Sequence, residues 1–254
     1  MKRVKIGNAL IDNVSYTECI DIIKKKIHDH GKMYVVTPNV DHIVKLNSDK
    51  MFASVYREAG LVVADGMPLI WASKLLKTPI KERICGSDLF PDLCALASEK
   101  QYRLFFLGGL EGVAHEAASK LRNQFEGIKI EQIYSPPFGF EDDEAESRKI
   151  IDMINEVQPH ILFIGVGAPK QEKWLYNNFK HLNINVGIGI GASFDFVAGN
   201  IKRAPVTIQN LGLEWFWRFL QEPRRLFRRY FVEDMQFLSI IFKQYRGMYF
   251  RKTM

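Results

Sequence analysis

The residue that most invites a chemical role is Asp65, a carboxylate placed directly after a short apolar run. Leu61-Val62-Val63-Ala64 is typical of a buried strand, and Asp65-Gly66 follows it before Met67 begins a helix-like stretch. A carboxylate in that position can cap the next helix, act as a general base or bind a metal ion. Residue types and spacing favour base and cap equally. Metal binding is the least favoured role, because the sequence has no Asp-x-Asp pair to hold a divalent cation.

Small or polar residues also follow the other apolar runs. They occur in Thr37-Pro38-Asn39, in Gly108-Gly109, in Gly165-Val166-Gly167-Ala168-Pro169-Lys170-Gln171 and in Gly191-Ala192-Ser193-Phe194-Asp195. In an open parallel sheet, ligands bind beyond the carboxyl ends of the strands. We therefore expect these residues to form one rim with Asp65, where Thr37 and Asn39 would suit deprotonation of a hydroxyl nucleophile.

Two glycine-containing segments of this rim could approach a phosphate. Gly108, Gly109 and Gly112 would bring backbone N–H groups close to an anion at a helix N-terminus, although neither a G-x-G-x-x-G nor a Walker A pattern is present. Glycines of a tight turn explain the same pattern. After Gly167, Lys170 could meet a diphosphate and Gln171 could hydrogen-bond a base or sugar. The alternative there is helix capping followed by solvated polar residues.

The elements that would position these residues alternate between strands and helices. Apolar runs predict strands over 33–37, 61–64, 103–107, 128–134, 160–165 and 185–190, and amphipathic spacing predicts helices over 40–46, 67–76, 112–125, 142–157 and 170–179. Strands that are apolar on both faces and separated by helices indicate an α/β fold with a mostly parallel sheet covered on both sides.

Composition limits the classes of protein. The 254 residues are 47% hydrophobic and 25% charged, which is typical of a soluble globular chain with a substantial core. We find no signal-peptide pattern and no apolar stretch long enough to span a bilayer. Three cysteines without a C-x-x-C pair (Cys19, Cys85 and Cys94) indicate a reducing, cytosolic setting with the thiols as core filler. A reactive Cys94 is the less favoured alternative.

The last 45 residues differ from the rest. Residues 210–254 contain nine Lys or Arg against four acids, and therefore five of the six net positive charges, with twelve of the 31 aromatic residues. Helical spacing over 206–221 gives way at Pro223 to a second amphipathic stretch, where Arg225, Arg228 and Arg229 share a face. This pattern favours an anionic membrane surface as partner. Packing on the body, a dimer contact and nucleic-acid binding are the alternatives, the last disfavoured by a nearly neutral body.

Taken together, these motifs resemble the WecG/TagA/CpsF glycosyltransferase family (glycosyltransferase family 26) over nearly the whole chain. The resemblance rests on Thr37-Pro38-Asn39, Ala64-Asp65-Gly66-Met67-Pro68, Glu82-Arg83-Ile84-Cys85-Gly86-Ser87-Asp88, Gly165-Val166-Gly167-Ala168-Pro169-Lys170-Gln171-Glu172-Lys173-Trp174, Gly191-Ala192-Ser193-Phe194-Asp195, Lys202-Arg203-Ala204-Pro205, Leu211-Gly212-Leu213-Glu214-Trp215 and Glu222-Pro223.

The resemblance implies a Rossmann-like α/β body over residues 1–205 and a helical, membrane-associating C-terminal appendage over residues 206–254. It implies an inverting, metal-independent transfer of a sugar from a UDP-sugar to a polyprenyl-diphosphate-linked saccharide. That reaction would occur at the cytoplasmic face of the bacterial membrane, in the synthesis of teichoic acid, capsule or exopolysaccharide. The UDP-sugar would be a substrate and no cofactor is expected; nucleic acid is not expected as a partner, and a homo-oligomer is compatible with the family.

The resemblance also implies roles for individual residues. Asp65 would be the general base, with Thr37 and Asn39 positioning it or the acceptor. The predicted substrate-binding residues are Arg83, Gln171, Gly108, Gly109, Gly167, Lys170, Asp195, Arg218, Arg225 and Arg228, of which the last three arginines would close over the donor. The alternative is a non-catalytic nucleotide-binding or scaffolding protein at the membrane, in which Asp65 only caps a helix. Met67-Pro68-Leu69 after Asp-Gly departs from the expected small residues, which leaves the donor sugar open.

Overall fold

The computed structural model describes residues 1–250, without the side chains of residues 210, 249 and 250. Its strands are β1 (Arg3–Ile6), β2 (Ala9–Asp12), β3 (Met33–Val36), β4 (Leu61–Val62), β5 (Arg103–Gly108), β6 (Lys129–Tyr134), β7 (Ile161–Gly165) and β8 (Val186–Gly189). Its α-helices are α1 (Tyr16–His28), α2 (Val40–Ser48), α3 (Lys50–Glu58), α4 (Met67–Leu75), α5 (Gly86–Lys100), α6 (Val113–Gln124), α7 (Glu144–Val157), α8 (Lys170–Asn178), α9 (Ser193–Ala198), α10 (Val206–Asn210), α11 (Glu214–Gln221), α12 (Pro223–Arg228) and α13 (Gln236–Phe250).

The central sheet has six parallel strands in the order β4-β3-β8-β7-β5-β6. Each strand corresponds to one of the six predicted apolar runs, so the mostly parallel α/β fold is confirmed. Alternate side chains of β5 enter different cores: Phe105 and Leu107 pack with α2, α3, α4, α7 and α8, whereas Leu104 and Phe106 pack with α1, α5, α6 and α9. A strand buried on both faces must be apolar at every position, which is why these runs are continuous rather than alternating.

The antiparallel hairpin of β1 and β2 is a further element, which was not predicted from the sequence. The hairpin is tied to the sheet by Asp12, whose side chain is buried. Its carboxylate accepts a hydrogen bond from Arg3 Nε at 2.8 Å and another from the backbone N–H of Val62 at 2.9 Å. Because Val62 ends β4, this buried carboxylate fixes the strand that leads to Asp65.

The C-terminal segment differs from the single helix expected over 206–221. The chain turns at Gly212, whose φ of +74° favours glycine, and this turn packs so closely on α4 that a Cβ would lie 2.8 Å from Met67 and Trp71. Farther on, Phe237 and Ile241 of α13 are buried in the core, and Gln244 hydrogen-bonds both Gly7 N and Lys5 O at 2.8 Å. One face of α13 therefore packs on the body, as one of the alternatives for this segment predicted.

The glycine at the end of β5 is required by its neighbour. At Gly108 φ is +109°, and a Cβ would lie 2.7 Å from the backbone of Gly165 on β7. Gly112 has a similarly positive φ of +81°, but a Cβ there would have no atom within 4 Å.

We expect Gly112→Ala to lose about 1–2 kcal/mol of unfolding free energy from backbone strain alone. Gly108→Ala should lose clearly more, and urea unfolding of the two variants measures the difference. Equal losses would mean that the strand ends separate easily.

Candidate active site

A cavity of about 1770 Å³ lies at the carboxyl ends of the parallel strands and is bordered on its other side by residues of α11 to α13. The predicted site residues that line it are Thr37, Asn39, Asp65, Arg83, Gly109, Gly167, Lys170, Gln171, Asp195, Arg218 and Arg225. The two other predicted residues, Gly108 and Arg228, lie outside the lining. The strand-end rim inferred from the sequence is thus a single concave surface.

Backbone pairing places Asp65 in this cavity. Beyond the end of β4, Val63 N donates to Val36 O at 3.0 Å and Asp65 N donates to Pro38 O at 2.8 Å. These bonds hold Asp65 beside the Thr37–Asn39 segment. The N-cap of α4 is Gly66 and no side chain caps that helix. Asp65 is therefore not the helix cap, which removes one of the two roles that the sequence favoured equally.

The environment of Asp65 makes its carboxyl an unusual acid. The pKa of Asp65 is raised to about 6, mainly by burial and in smaller part by the negative charge of Glu214, although the hydrogen bond from the Cys85 thiol and the charge of Arg83 act in the opposite direction. A carboxylate with a pKa near neutrality is a stronger base than an ordinary one and is still mostly ionised at pH 7. Cys85 is thus more than core filler, whereas Cys94 is fully buried in the core.

Thr37 and Asn39 follow β3 and flank Pro38, whose carbonyl accepts the backbone hydrogen bond from Asp65. Thr37 is buried and is part of the cavity lining. Asn39 is the N-cap of α2, and its Oδ1 accepts a hydrogen bond from His42 N at 3.2 Å. The cap fixes the orientation of the Asn39 amide, so that a polar group is held at the rim without being drawn into the core.

Arg83 belongs to a group of four charged side chains that joins the body to α11. Its Nη1 lies 3.0 Å from Glu214 Oε2 and its Nη2 lies 3.6 Å from Asp88 Oδ2. Arg203 contacts the same two acids, at 2.5 Å from Asp88 and 3.5 Å from Glu214. The carboxylates of Asp88 and Glu214 thus pair with the guanidinium groups of Arg83 and Arg203. These ion pairs hold Arg83 at the cavity and offset its positive charge. Arg203 and Glu214 were not predicted as site residues from the sequence.

Gln171 uses both ends of its amide inside the protein. Its Nε2 donates to Glu172 Oε1 at 2.6 Å, and its Oε1 accepts from Gly191 N at 3.1 Å. A Cβ on Gly189 would lie 2.6 Å from Gln171 Nε2, so the strand end packs directly on this amide. In the structure, Gln171 therefore holds the loop after β8, and its binding of a base or sugar stays a prediction.

Lys170 and the glycines at the end of β5 also have protein partners. The ammonium of Lys170 pairs with Glu141 and lies 4.3 Å from the centroid of the Phe138 ring. Gly109 N donates to Gly165 O at 2.9 Å. Close packing of strand ends explains Gly108 and Gly109 in this structure, and phosphate contacts by these residues remain predictions.

The arginines of the C-terminal segment do not all face the same way. Arg218 and Arg225 line the cavity close to Asp195, whose pKa is raised mainly by burial. The Nε of Arg218 is buried and has no hydrogen-bond partner among the side chains that the structure describes. Arg228 is 84% exposed and pairs with Glu233 at 3.1 Å.

Arg229 lines the cavity instead of Arg228. Its guanidinium group lies 3.5 Å from Asp41 and 3.9 Å from Asp234. Because Asp41 belongs to α2, the first of these ion pairs joins the C-terminal segment to that helix. The sequence placed both arginines on one helical face. A π-helical turn begins at Arg229 and changes the direction of the side chains there.

Residues 1–250 contain neither a metal-binding cluster nor a membrane-spanning helix. No three His, Cys, Asp or Glu side chains in this part of the chain are arranged so that they could hold a metal ion. None of its helices has the length and apolarity needed to cross a bilayer.

Comparison with known proteins points to one family. The sequence profile of the glycosyl transferase WecG/TagA/CpsF family matches residues 4–251. A protein of Bacillus subtilis (strain 168) named N-acetylglucosaminyldiphosphoundecaprenol N-acetyl-β-D-mannosaminyltransferase is 31% identical over 230 residues, which cover 89% of this chain and 86% of that protein. Proteins with the same name in Bacillus spizizenii (strain ATCC 23059 / NRRL B-14472 / W23) and Staphylococcus aureus (strain MW2) are 31% and 27% identical, covering 76% and 89% of this chain and 72% and 87% of theirs.

The buried partner of Gln171 gives a testable dependence of stability on pH. Glu172 is 2% exposed, and burial raises its pKa from 4.5 to about 7. The folded state therefore holds this proton more tightly than the unfolded state does. The associated stability is fully present below about pH 4.5 and is lost as the pH rises to about 7, with a slope of up to about 1.4 kcal/mol per pH unit. Glu172→Gln keeps an acceptor for Gln171 and should remove this slope. Chemical unfolding of both proteins from pH 5 to pH 8 measures it, and parallel curves would contradict the assignment.

Proposed function

The chain belongs to the WecG/TagA/CpsF family of glycosyltransferases, and on that basis we propose that it moves N-acetylmannosamine from UDP-N-acetylmannosamine to N-acetylglucosaminyl-diphospho-undecaprenol. The names of its relatives in Bacillus and Staphylococcus support this choice of sugar and acceptor. The β linkage in those names fits inversion at the anomeric carbon of an α-linked donor.

The observation that carries the proposal is the position and acidity of Asp65. Its carboxyl opens into the large cavity, adjoins Thr37 and Asn39, and has its pKa raised to about 6 by burial. A non-catalytic nucleotide-binding protein would need Asp65 only as a helix cap, and Gly66 occupies that position. We therefore do not propose the non-catalytic alternative.

The reaction would proceed by direct displacement. Asp65 takes the proton from a hydroxyl group of the acceptor sugar, whose oxygen attacks the anomeric carbon of the donor. The bond from that carbon to the UDP oxygen breaks, and UDP leaves with its electron pair. Arg218 and Arg225 line the cavity and would offset the charge that develops on the diphosphate, so that the transfer needs no metal ion.

A membrane surface is a natural partner for such an acceptor. The C-terminal segment exposes apolar and aromatic side chains beside basic ones, with Phe216 and Phe227 exposed and Arg224 and Arg228 also exposed. This combination suits the interface of an anionic bilayer. We propose peripheral association with the cytoplasmic face of the membrane through residues 206–254.

Replacement of the base gives the most direct test. Asp65→Asn keeps the size of the side chain but cannot accept the proton, so we expect kcat to fall roughly 10²–10⁴-fold while the fold and UDP binding persist. Asp152→Asn, at an exposed acid of α7, is the matched control and should keep its activity. UDP release and calorimetric UDP binding measure the two properties. An Asp65→Asn enzyme with normal turnover would remove the base assignment.

The pH profile tests the same residue independently. With a pKa of about 6, Asp65 is protonated at lower pH and can no longer accept a proton. We expect kcat/KM of the wild type to fall about tenfold per pH unit below pH 6 and to level off above it. A profile that is flat from pH 5 to pH 8 would contradict this role.

The dependence on donor, acceptor and metal can be measured with one purified protein. We expect UDP release from UDP-N-acetylmannosamine only when the lipid-linked acceptor is present, with lower rates for other UDP-sugars. The rate should be unchanged in EDTA, because arginines rather than a cation stabilise the leaving group. Loss of activity in EDTA, restored by a divalent cation, would overturn the metal-independent mechanism.

A further inference from the structure

The cavity is larger than a nucleotide-sugar site requires. Small-molecule sites usually measure about 300–1,000 Å³, whereas this cavity measures about 1770 Å³. The polar residues of the rim, including Asp65, Arg83 and Lys170, line only part of it. Asp41, Arg229 and Asp234 add charged groups elsewhere, and a further part of the lining is apolar.

The second part is a groove with apolar walls. One wall is α4, which contributes Met67, Trp71 and Leu75. The other wall is α13, which contributes Leu238 and Phe242. Leu75 is 52% exposed and Phe242 is 59% exposed, so each wall offers side chains that the protein does not cover.

The groove is continuous with the reacting group. Asp65 is followed by Gly66, and α4 begins at Met67, so the first residue of the α4 wall is two positions from the base. From Met67 to Leu75 the helix extends the wall by about 12 Å. The α13 wall is anchored to the body, because Phe237 and Ile241 are buried in the core. A ligand lying between the two walls would have one end at Asp65.

We propose that this groove binds the first isoprene units of the acceptor's lipid chain, with the acceptor saccharide directed to Asp65. The inference rests on the proposed function, which supplies an acceptor that joins a sugar to a long apolar chain. A chain fits between two apolar walls, whereas a flat bilayer surface meets only outward-facing side chains. Burying apolar chain atoms against the exposed walls provides the binding free energy. The groove would thus distinguish a lipid-linked acceptor from a free saccharide before any contact with the sugar.

Two acceptors that differ only in the chain test this inference. Both carry the same saccharide diphosphate; one bears undecaprenol and the other a methyl ester, and both are assayed in detergent micelles. We expect Leu75→Gln and Phe242→Gln, one in each wall, to raise KM for the undecaprenyl acceptor roughly tenfold. Their kcat, and their KM for the methyl ester, should equal those of the wild type. Met51→Gln removes an exposed apolar side chain from α3, outside the cavity, and should change neither KM.

Several outcomes would overturn the inference. If the wall variants leave KM for the undecaprenyl acceptor unchanged, or raise KM for both acceptors equally, the groove does not bind the chain. Loss of sedimentation with anionic vesicles, combined with an unchanged KM in micelles, would make these side chains a membrane contact instead. If the wild type transfers sugar to neither acceptor, the proposed function fails; if it uses both with equal KM, only the lipid subsite fails.

Discussion

The Asp65 carboxyl is held partly buried at the edge of a parallel sheet, where it lines the cavity, and the features around it keep it there. Backbone bonds from Val63 and Asp65 extend the pairing beyond β4. The buried Asp12 carboxylate fixes the end of that strand from the other side. Burial raises the pKa of this carboxyl, the Cys85 thiol and the Arg83 charge act against that rise, and the resulting pKa of about 6 leaves the group mostly ionised at neutral pH.

The C-terminal segment forms one side of the site rather than a separate attachment. Glu214 of α11 pairs with Arg83 and Arg203, and Arg229 pairs with Asp41 of α2. These ion pairs are only partly exposed, so water screens them less than it screens pairs on the open surface. The same segment therefore completes the cavity and also carries the exposed basic and aromatic side chains that suit a membrane.

Much of this arrangement could be predicted from the sequence, because continuous apolar runs identify buried parallel strands and small or polar residues mark their ends. The hairpin of β1 and β2 escaped notice because each strand has four residues, too few for a clear period. The break at Gly212 follows from tertiary contact with α4, which helical spacing does not reveal. Glu172 was overlooked as a buried acid, since a charged residue after Lys170-Gln171 is normally solvated. The sequence placed Arg229 on the same face as Arg228, and the π-helical turn that separates their directions is not visible in the helical spacing.

The hydrogen bonds from Gln244 to the first hairpin have a consequence for how the molecule is made. The partner of the Gly7 N–H lies 237 positions later in the chain. During translation the hairpin and the parallel sheet can assemble first, while the α13 side of the cavity waits for the last part of the chain to leave the ribosome. A growing chain thus places the Asp65 carboxyl at the sheet edge before α13 closes the cavity, so that the order of synthesis delays completion of the cavity.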